Sequence, residues 1–218
     1  MQFTNAALVD PKVHGSTATE KVVGASFAFL KSRVGFTVTY TDKVDKGFPT
    51  TIVPGQGSGV NTVLTNAGEI EFTGLDVTFN VKPIWGKNFK WELNATYANT
   101  ISNKVNDIDG KPQSAWKDIG AAPPSITVET ATFGPTLRAI EGQQWGMLYG
   151  NGIKRDGSGN ALINANGTYV YDNNTQFGSV LPDYTGGVQS TLTLFRDFTV
   201  NINVDFQHGG KYYSTSDK

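Results

Sequence analysis

Phe198-Thr199-Val200-Asn201-Ile202-Asn203-Val204-Asp205-Phe206-Gln207 is the stretch that decides how this chain is read. Every second residue is apolar, and the residues between are Thr, Asn, Asp and Gln. Period-two alternation of this kind marks a strand with one apolar and one polar face. Upstream, Arg196-Asp197, flanked by Phe195 and Phe198, leaves room only for a hairpin turn. Before that turn Val188, Leu192 and Leu194 (with Ser190) alternate with Gln189, Thr191 and Thr193.

The same period recurs towards the N-terminus. Phe89, Trp91, Leu93, Ala95 and Tyr97 alternate with Lys90, Glu92, Asn94, Thr96 and Ala98. Leu75, Val77, Phe79 and Val81 alternate with Asp76, Thr78, Asn80 and Lys82. Val34, Phe36, Val38 and Tyr40 alternate with Gly35, Thr37, Thr39 and Thr41, and Lys21–Leu30 repeats the pattern. Six strands are therefore predicted. Glu69-Ile70-Glu71-Phe72 has the opposite phase to the rest of its strand, which predicts a bulge near Thr73-Gly74.

The links between these strands are of two kinds. Lys31-Ser32-Arg33, Pro83 to Asn88, and Arg196-Asp197 are short, whereas residues 42–68 and 101–183 are expected to be long loops. In a meander, all the short turns then lie at one end and both long loops at the other. Transmembrane β-barrels sort their connections this way, with tight periplasmic turns and long extracellular loops. Phe29, Phe36, Trp85, Phe89, Trp91, Phe195 and Phe198 gather near the short turns; Tyr40, Tyr97, Tyr184 and Phe206 mark the far ends. Eight residues at about 3.3 Å each, tilted near 40°, cover roughly 20 Å between the two aromatic belts. The fold class expected is all-β: an antiparallel barrel sector of about six strands in three hairpins.

Composition agrees. Charged residues are only 17 % of the 218 and Gly numbers 25, while mean hydropathy is −0.28. Barrel strands average out as mildly polar, so this value does not exclude a membrane. No window holds the roughly 18 consecutive apolar residues of a spanning helix. A net charge of −1 without a basic cluster gives no support for a nucleic-acid partner. The absence of Cys excludes disulfides and thiolate metal sites. Met1-Gln2-Phe3-Thr4-Asn5 lacks a basic segment followed by an apolar one, so no signal peptide is expected. The polar strand faces are hydrophilic rather than packed with Leu and Ile, so the barrel should be wide and wet. Six strands would leave two open edges, which lipid does not tolerate; they must pair with further strands.

Four segments in order resemble the SusC/RagA-type TonB-dependent transporters. Asn66 to Val77 (NAGEIEFTGLDV) is similar to that family's N-x-G-E-I strand, and Glu141-Gly142-Gln143 through Trp145 to Gly150 to its EGQ…YG segment. Lys154 to Asn160 with Asn164 to Gly167 resembles its D-x-x-G repeat. Pro182 to Gly187 with Gln207 to Ser214 resembles its PDYTGG…GGxxYS pattern. The resemblance implies that residues 1–218 are part of a larger 22-strand barrel importing oligosaccharides or peptides across the outer membrane of Bacteroidota. It also implies outer-membrane lipid, the rest of the barrel and its plug, a SusD-like surface lipoprotein and the TonB complex as partners. TonB would be reached through an N-terminal region this chain lacks; no plug domain is recognisable either, so the chain by itself is expected to transport nothing.

Candidate residues follow. Asp76, Lys82, Lys90, Glu92 and Asp205 lie on polar strand faces and are expected to face the lumen, where charge tunes passage. Trp116, Trp145, Tyr149, Tyr169 and Tyr171 lie on the second long loop, where a ring can pack on a sugar; packing onto the barrel mouth is the alternative. Asp156-Gly157-Ser158-Gly159-Asn160 lacks the order of a calcium loop and is read as a turn, as is Asp107-Ile108-Asp109-Gly110. Neither His14 nor His208 belongs to a recognisable catalytic arrangement, so neither enzymatic activity, a metal nor a cofactor is expected. The competing reading is a soluble β-rich carbohydrate-binding or adhesin module, which would need its apolar faces covered.

Overall fold

The computed structural model describes residues 7–52, 62–111, 125–130 and 134–214. Its strands are β1 (Ala7–Val9), β2 (Thr17–Phe29), β3 (Val34–Lys46), β4 (Pro49–Ile52), β5 (Thr62–Asn66), β6 (Glu69–Trp85) and β7 (Phe89–Asp107), followed by β8 (Ser125–Thr130), β9 (Thr136–Ile140), β10 (Met147–Ile153), β11 (Tyr171–Ser179), β12 (Pro182–Leu194) and β13 (Phe198–Gly209). Among the described residues there is no helix.

The six predicted strands are β2, β3, β6, β7, β12 and β13, and they form one antiparallel sheet in the order β13-β12-β7-β6-β3-β2. Each strand pairs with its neighbour in this set, so the sheet is a meander of three hairpins. The turns at 30–33, 86–88 and 195–197 all lie at one end. The two long connections leave from the other end, and both carry strands of their own. Residues 42–68 contain the end of β3 and the β4–β5 hairpin, on which β1 pairs in parallel; residues 101–183 contain the end of β7 and the sheet β11-β10-β9-β8. The described parts of these segments thus carry strands where irregular loop was expected. Their short strands show no alternation long enough to stand out in the sequence.

Register places the side chains in rows. One face reads Val204–Val188–Ala95–Phe79–Phe36–Phe27 across the sheet, and the row above reads Phe206–Gly186–Tyr97–Val77–Val38–Ala25. The other face reads Asp205–Gly187–Thr96–Thr78–Thr37–Ser26. The apolar face is bare: Val204 is 57 % exposed, Ile202 52 %, Phe27 49 % and Phe79 41 %. Among the described residues the buried hydrophobic ones are Ala67, Val105, Ile108, Ala139, Met147 and Tyr149, none of them on that face. An aqueous sheet of this size would bury one face against a second layer.

Two local irregularities have identifiable causes. Between Val81 and Ile84 the β6 strand carries one extra residue opposite β7, a stretch that includes Pro83, which has no N–H to give to a ladder. The slip puts Ile84 opposite Trp91 on the apolar face and Trp85 opposite Lys90 on the polar one. Trp85 therefore lies near the short turns as expected, but on the other side of the sheet from Phe89 and Trp91. The second irregularity corrects the expected bulge at Thr73-Gly74. A register shift does occur there, but its extra residue is Ile101 of β7; β6 pairs with β3 without interruption from Val81 to Glu69.

The reversed phase of Ile70 and Phe72 thus reflects a change of surroundings rather than of register. Above Tyr40, Leu75 and Asn99 the formerly apolar face carries Asp42, Thr73 and Ser102, then Val44, Glu71 and Lys104. There Lys46 pairs with Glu69 at 2.8 Å, and Asn106 Nδ2 donates to Glu71 Oε2 at 2.9 Å. On the opposite side Val105, paired with Ile70, is fully buried with Ile108, Ala139, Ile126 and Trp145. β6 keeps its register with β3 while the side that carries its polar residues changes.

Gly186 shows how tightly the sheet closes near its upper belt. The Phe206 ring lies over it from the next strand, a cross-strand arrangement in which an aromatic covers a glycine. An added Cβ would also meet the Thr96 carbonyl oxygen at 2.8 Å, and backbone cannot yield. Gly186→Ala should therefore destabilise the protein by about 1–3 kcal/mol. Urea unfolding should show this, with Thr185→Ala on the other face shifting stability by less than about 0.5 kcal/mol.

Candidate functional site

The polar face is the only broad, chemically uniform surface that the six-stranded sheet presents besides its apolar one. Alternation puts Thr, Asn, Gln and Asp on it. At its centre is an open trough of about 580 Å³ lined by Asp76, Thr78, Thr96, Thr185, Asp205 and Gln207. A second hollow continues it along Asn94, Gln189 and Asn203. Cross-strand hydroxyl and amide bonds order this surface: Ser26 Oγ to Thr37 Oγ1 at 2.9 Å, and Thr191 Oγ1 to Asn201 Oδ1 at 2.8 Å.

Register and ring contacts bring the five charged candidates onto this one face. Asp76 and Asp205 line the same trough from strands three places apart in the sheet, roughly 14 Å at about 4.8 Å per strand. Glu92 lies nearer the short turns, in the row of Thr191 and Asn201. Lys82 and Lys90 both hold their ammonium groups over the Trp85 ring, 4.8 and 4.7 Å from its centre. An indole face attracts cations, so Trp85 fixes both lysines at the turn end of the face. The charges are therefore sorted along the strands, carboxylates in the middle and ammonium groups below.

The aromatic loop candidates separate. Tyr149 is 5 % exposed; its hydroxyl donates to Gln143 Oε1 and Arg138 stands 5.5 Å over its ring. Burial pushes the Tyr149 phenol above its ordinary value, with Arg138 opposing in part. Trp145 packs half-buried against Val105, Ile108 and Ala139, and its backbone N–H donates to the Asn103 carbonyl at 3.0 Å. These two rings hold the loop together. Tyr169 (49 %) and Tyr171 (57 %) are exposed on the outer part of the loop, while Trp116 lies outside the described residues.

The loop docks by continuing the sheet. Beyond Asn99, where β12 stops pairing with β7, the segment 142–145 takes over that edge: Val105 N–H donates to Gln143 O and Gly142 N–H to Val105 O. This brings Glu141 beside Asp107 and Asp109, with one oxygen of each within 4.8 Å of the others. Asp107 to Gly110 forms the turn that its sequence predicts, with Gly110 N–H donating to Asp107 Oδ1 at 2.9 Å. Glu141 is too distant in sequence to have been associated with them. Three carboxylates could supply about half of the six to eight oxygens a calcium ion takes, and Lys111, 3.1 Å from Asp109, already offsets part of their charge.

Asp156 closes its own turn, accepting from Ser158 and Asn160 N–H at 2.9 Å each; these bonds, led by that from Asn160, hold its carboxyl below the usual range. His208 stacks on Tyr184 at 5.0 Å and His14 bonds the Gly15 carbonyl, so neither is placed as a catalytic base.

No family model matches this chain, and no curated protein matches it. Solved structures do. The RagAB peptide transporter is 12 % identical over 87 % of the chain, with a TM-score of 0.60. The RagAB peptide importer gives 0.63 in its open-open state and 0.57 in its closed-closed state, at 12 and 11 % identity over 87 and 88 % of the chain. The chain spans about one fifth of the matched chains, 20 to 21 % of their length. At this identity the likeness is one of fold: the sheet is an antiparallel sector of a β-barrel.

Proposed function

We propose that this chain supplies wall and outer loops to an outer-membrane TonB-dependent nutrient importer of the SusC/RagA type. The observation that carries the reading is the bare apolar face, bounded by aromatic residues at both ends, backed by a hydrophilic trough. Lipid would cover the first and solute or plug would pass along the second. Both long connections would then be extracellular. The segments resembling the SusC/RagA family and the likeness of fold to a peptide importer support the same assignment. Peptides or oligosaccharides are the proposed cargo, passing the lumen-facing Asp76, Lys82, Lys90, Glu92 and Asp205. Tyr169 and Tyr171 are the exposed loop rings placed to meet cargo or a SusD-like lipoprotein. The free edges of β2 and β13 would pair with further strands, enclosing a plug that the TonB complex acts upon. The setting is the outer membrane of a Gram-negative bacterium of the Bacteroidota, and no step of the reading requires enzymatic chemistry.

A soluble module would need its apolar face covered. The test is the behaviour of the purified protein with and without amphiphile. Folding, followed by cooperative melting, is expected only in detergent or lipid. A monodisperse species that melts cooperatively in plain buffer would overturn the membrane assignment.

A further inference from the structure

The hairpin tips carry an unexplained backbone strain. The positive-φ residues other than Gly among the described residues are Leu30 (54°), Lys31 (57°) and Ser32 (63°) in the first turn, and Phe195 (52°) and Arg196 (76°) in the third. Gly or Asn would take these conformations with less strain, and each L-residue with a Cβ costs about 1–2 kcal/mol there. Both turns nonetheless present the same pair, an apolar residue followed by a cation. Leu30 is 73 % exposed and Phe195 81 %, among the barest apolar side chains in the protein. Strain kept at equivalent positions points to a use for the side chains.

The turns are also basic. Lys31, Arg33, Lys87 and Arg196 stand in them against the single carboxylate of Asp197, in a chain whose net charge is −1. All four cations are exposed. The second and third turns are laced together: Phe195 N–H donates to Asn88 O at 2.8 Å, and Arg196 Nε to Asn88 Oδ1 at 3.2 Å. They form one rim, directly beyond the end of the apolar face at Phe29 and Phe198, which are 55 % and 60 % exposed. One or two further residues along a tilted strand reach roughly 3–5 Å past the hydrocarbon edge, the depth of lipid headgroups.

We propose that this rim binds the headgroups of anionic phospholipids, with Leu30 and Phe195 seated in the lipid beside them. The inference rests on the membrane reading above. It fits the charge of the rim, since cations near an anionic leaflet are attracted to it. It also accounts for the strain: the αL tips hold apolar and cationic side chains at the lipid boundary together.

The test uses the complete protein reconstituted in vesicles of phosphatidylcholine containing 30 % phosphatidylglycerol. Association of spin-labelled phosphatidylglycerol and phosphatidylcholine with the protein is then compared. A preference of about fivefold for the anionic lipid is expected, equivalent to ~1 kcal/mol at 1.4 kcal/mol per tenfold. The variant K31Q/R33Q/K87Q/R196Q should bring the ratio to about one, while K31R/K87R keeps it. Raising NaCl to 0.5 M should collapse the preference in the unaltered protein, which tests the idea even where the quadruple variant does not fold. Equal association in the unaltered protein, or full preference in a folded quadruple variant, overturns the proposal alone. Failure to enter vesicles of any composition overturns the membrane reading, and this proposal with it.

Discussion

Val188→Arg should destabilise the protein in phospholipid vesicles by about 2–4 kcal/mol, the penalty for a cation on the lipid side of a barrel at mid-depth. Val188 lies in the row of Val204, Ala95 and Phe79, midway between the two aromatic belts. At 42 % exposure it buries too little for the lost packing alone to account for such a figure. In water the same substitution at an exposed strand position should change stability by less than about 0.5 kcal/mol. The two environments thus predict effects that differ severalfold. Gln189→Arg, one residue on and facing the trough, provides the control and should be near neutral. Urea unfolding in vesicles measures both, and equal values for the two variants would remove the lipid assignment of this face.

Val105→Asp should release the second long loop while leaving the six-stranded sheet paired. Val105 is fully buried at the junction of β7 with the loop, exchanging backbone hydrogen bonds with Gly142 and Gln143. A carboxylate there would lie uncompensated in an apolar cluster, costing about 3–5 kcal/mol, and would add to the charge of Asp107, Asp109 and Glu141. The anchor is local, so the loss should be local as well. Amide hydrogen exchange at Gly142, Gln143 and Trp145 should accelerate by about a hundredfold or more. Exchange at Leu93 and Val188, in the sheet centre, should stay slow. Uniform acceleration across the sheet would show instead that the loop and wall fold as one unit.

What could be read in advance follows from the length of each pattern. β13 and β7 alternate over many residues with few interruptions, and a long period-two run has only one structural reading. β8, β9 and β10 are short, and their burial depends on partners far along the chain, so no window of sequence shows them. The phase of Ile70 and Phe72 cannot tell a bulge in β6 from a change of surroundings, because alternation reports which side is apolar, not which way the strand turns. A straight strand that passes from one environment to another reverses its pattern just as a bulge does. Trp85 lies near the short turns, as its place in the chain predicts; the register slip between Val81 and Ile84 decides only which face its side chain takes.

Phe198 to Gln207 and its five counterparts determined, by sequence alone, an antiparallel meander with one apolar and one polar face and all its short turns at one end. Those are local properties, set by the two-residue period of the pleat and by the number of residues between strands. Tertiary structure alone decided that Asp76 and Asp205 share a trough, that Tyr149 is buried while Tyr169 and Tyr171 are exposed, and that Glu141 meets Asp107 and Asp109. Each of these depends on register between strands distant in sequence, and register is set by pairing across the whole sheet.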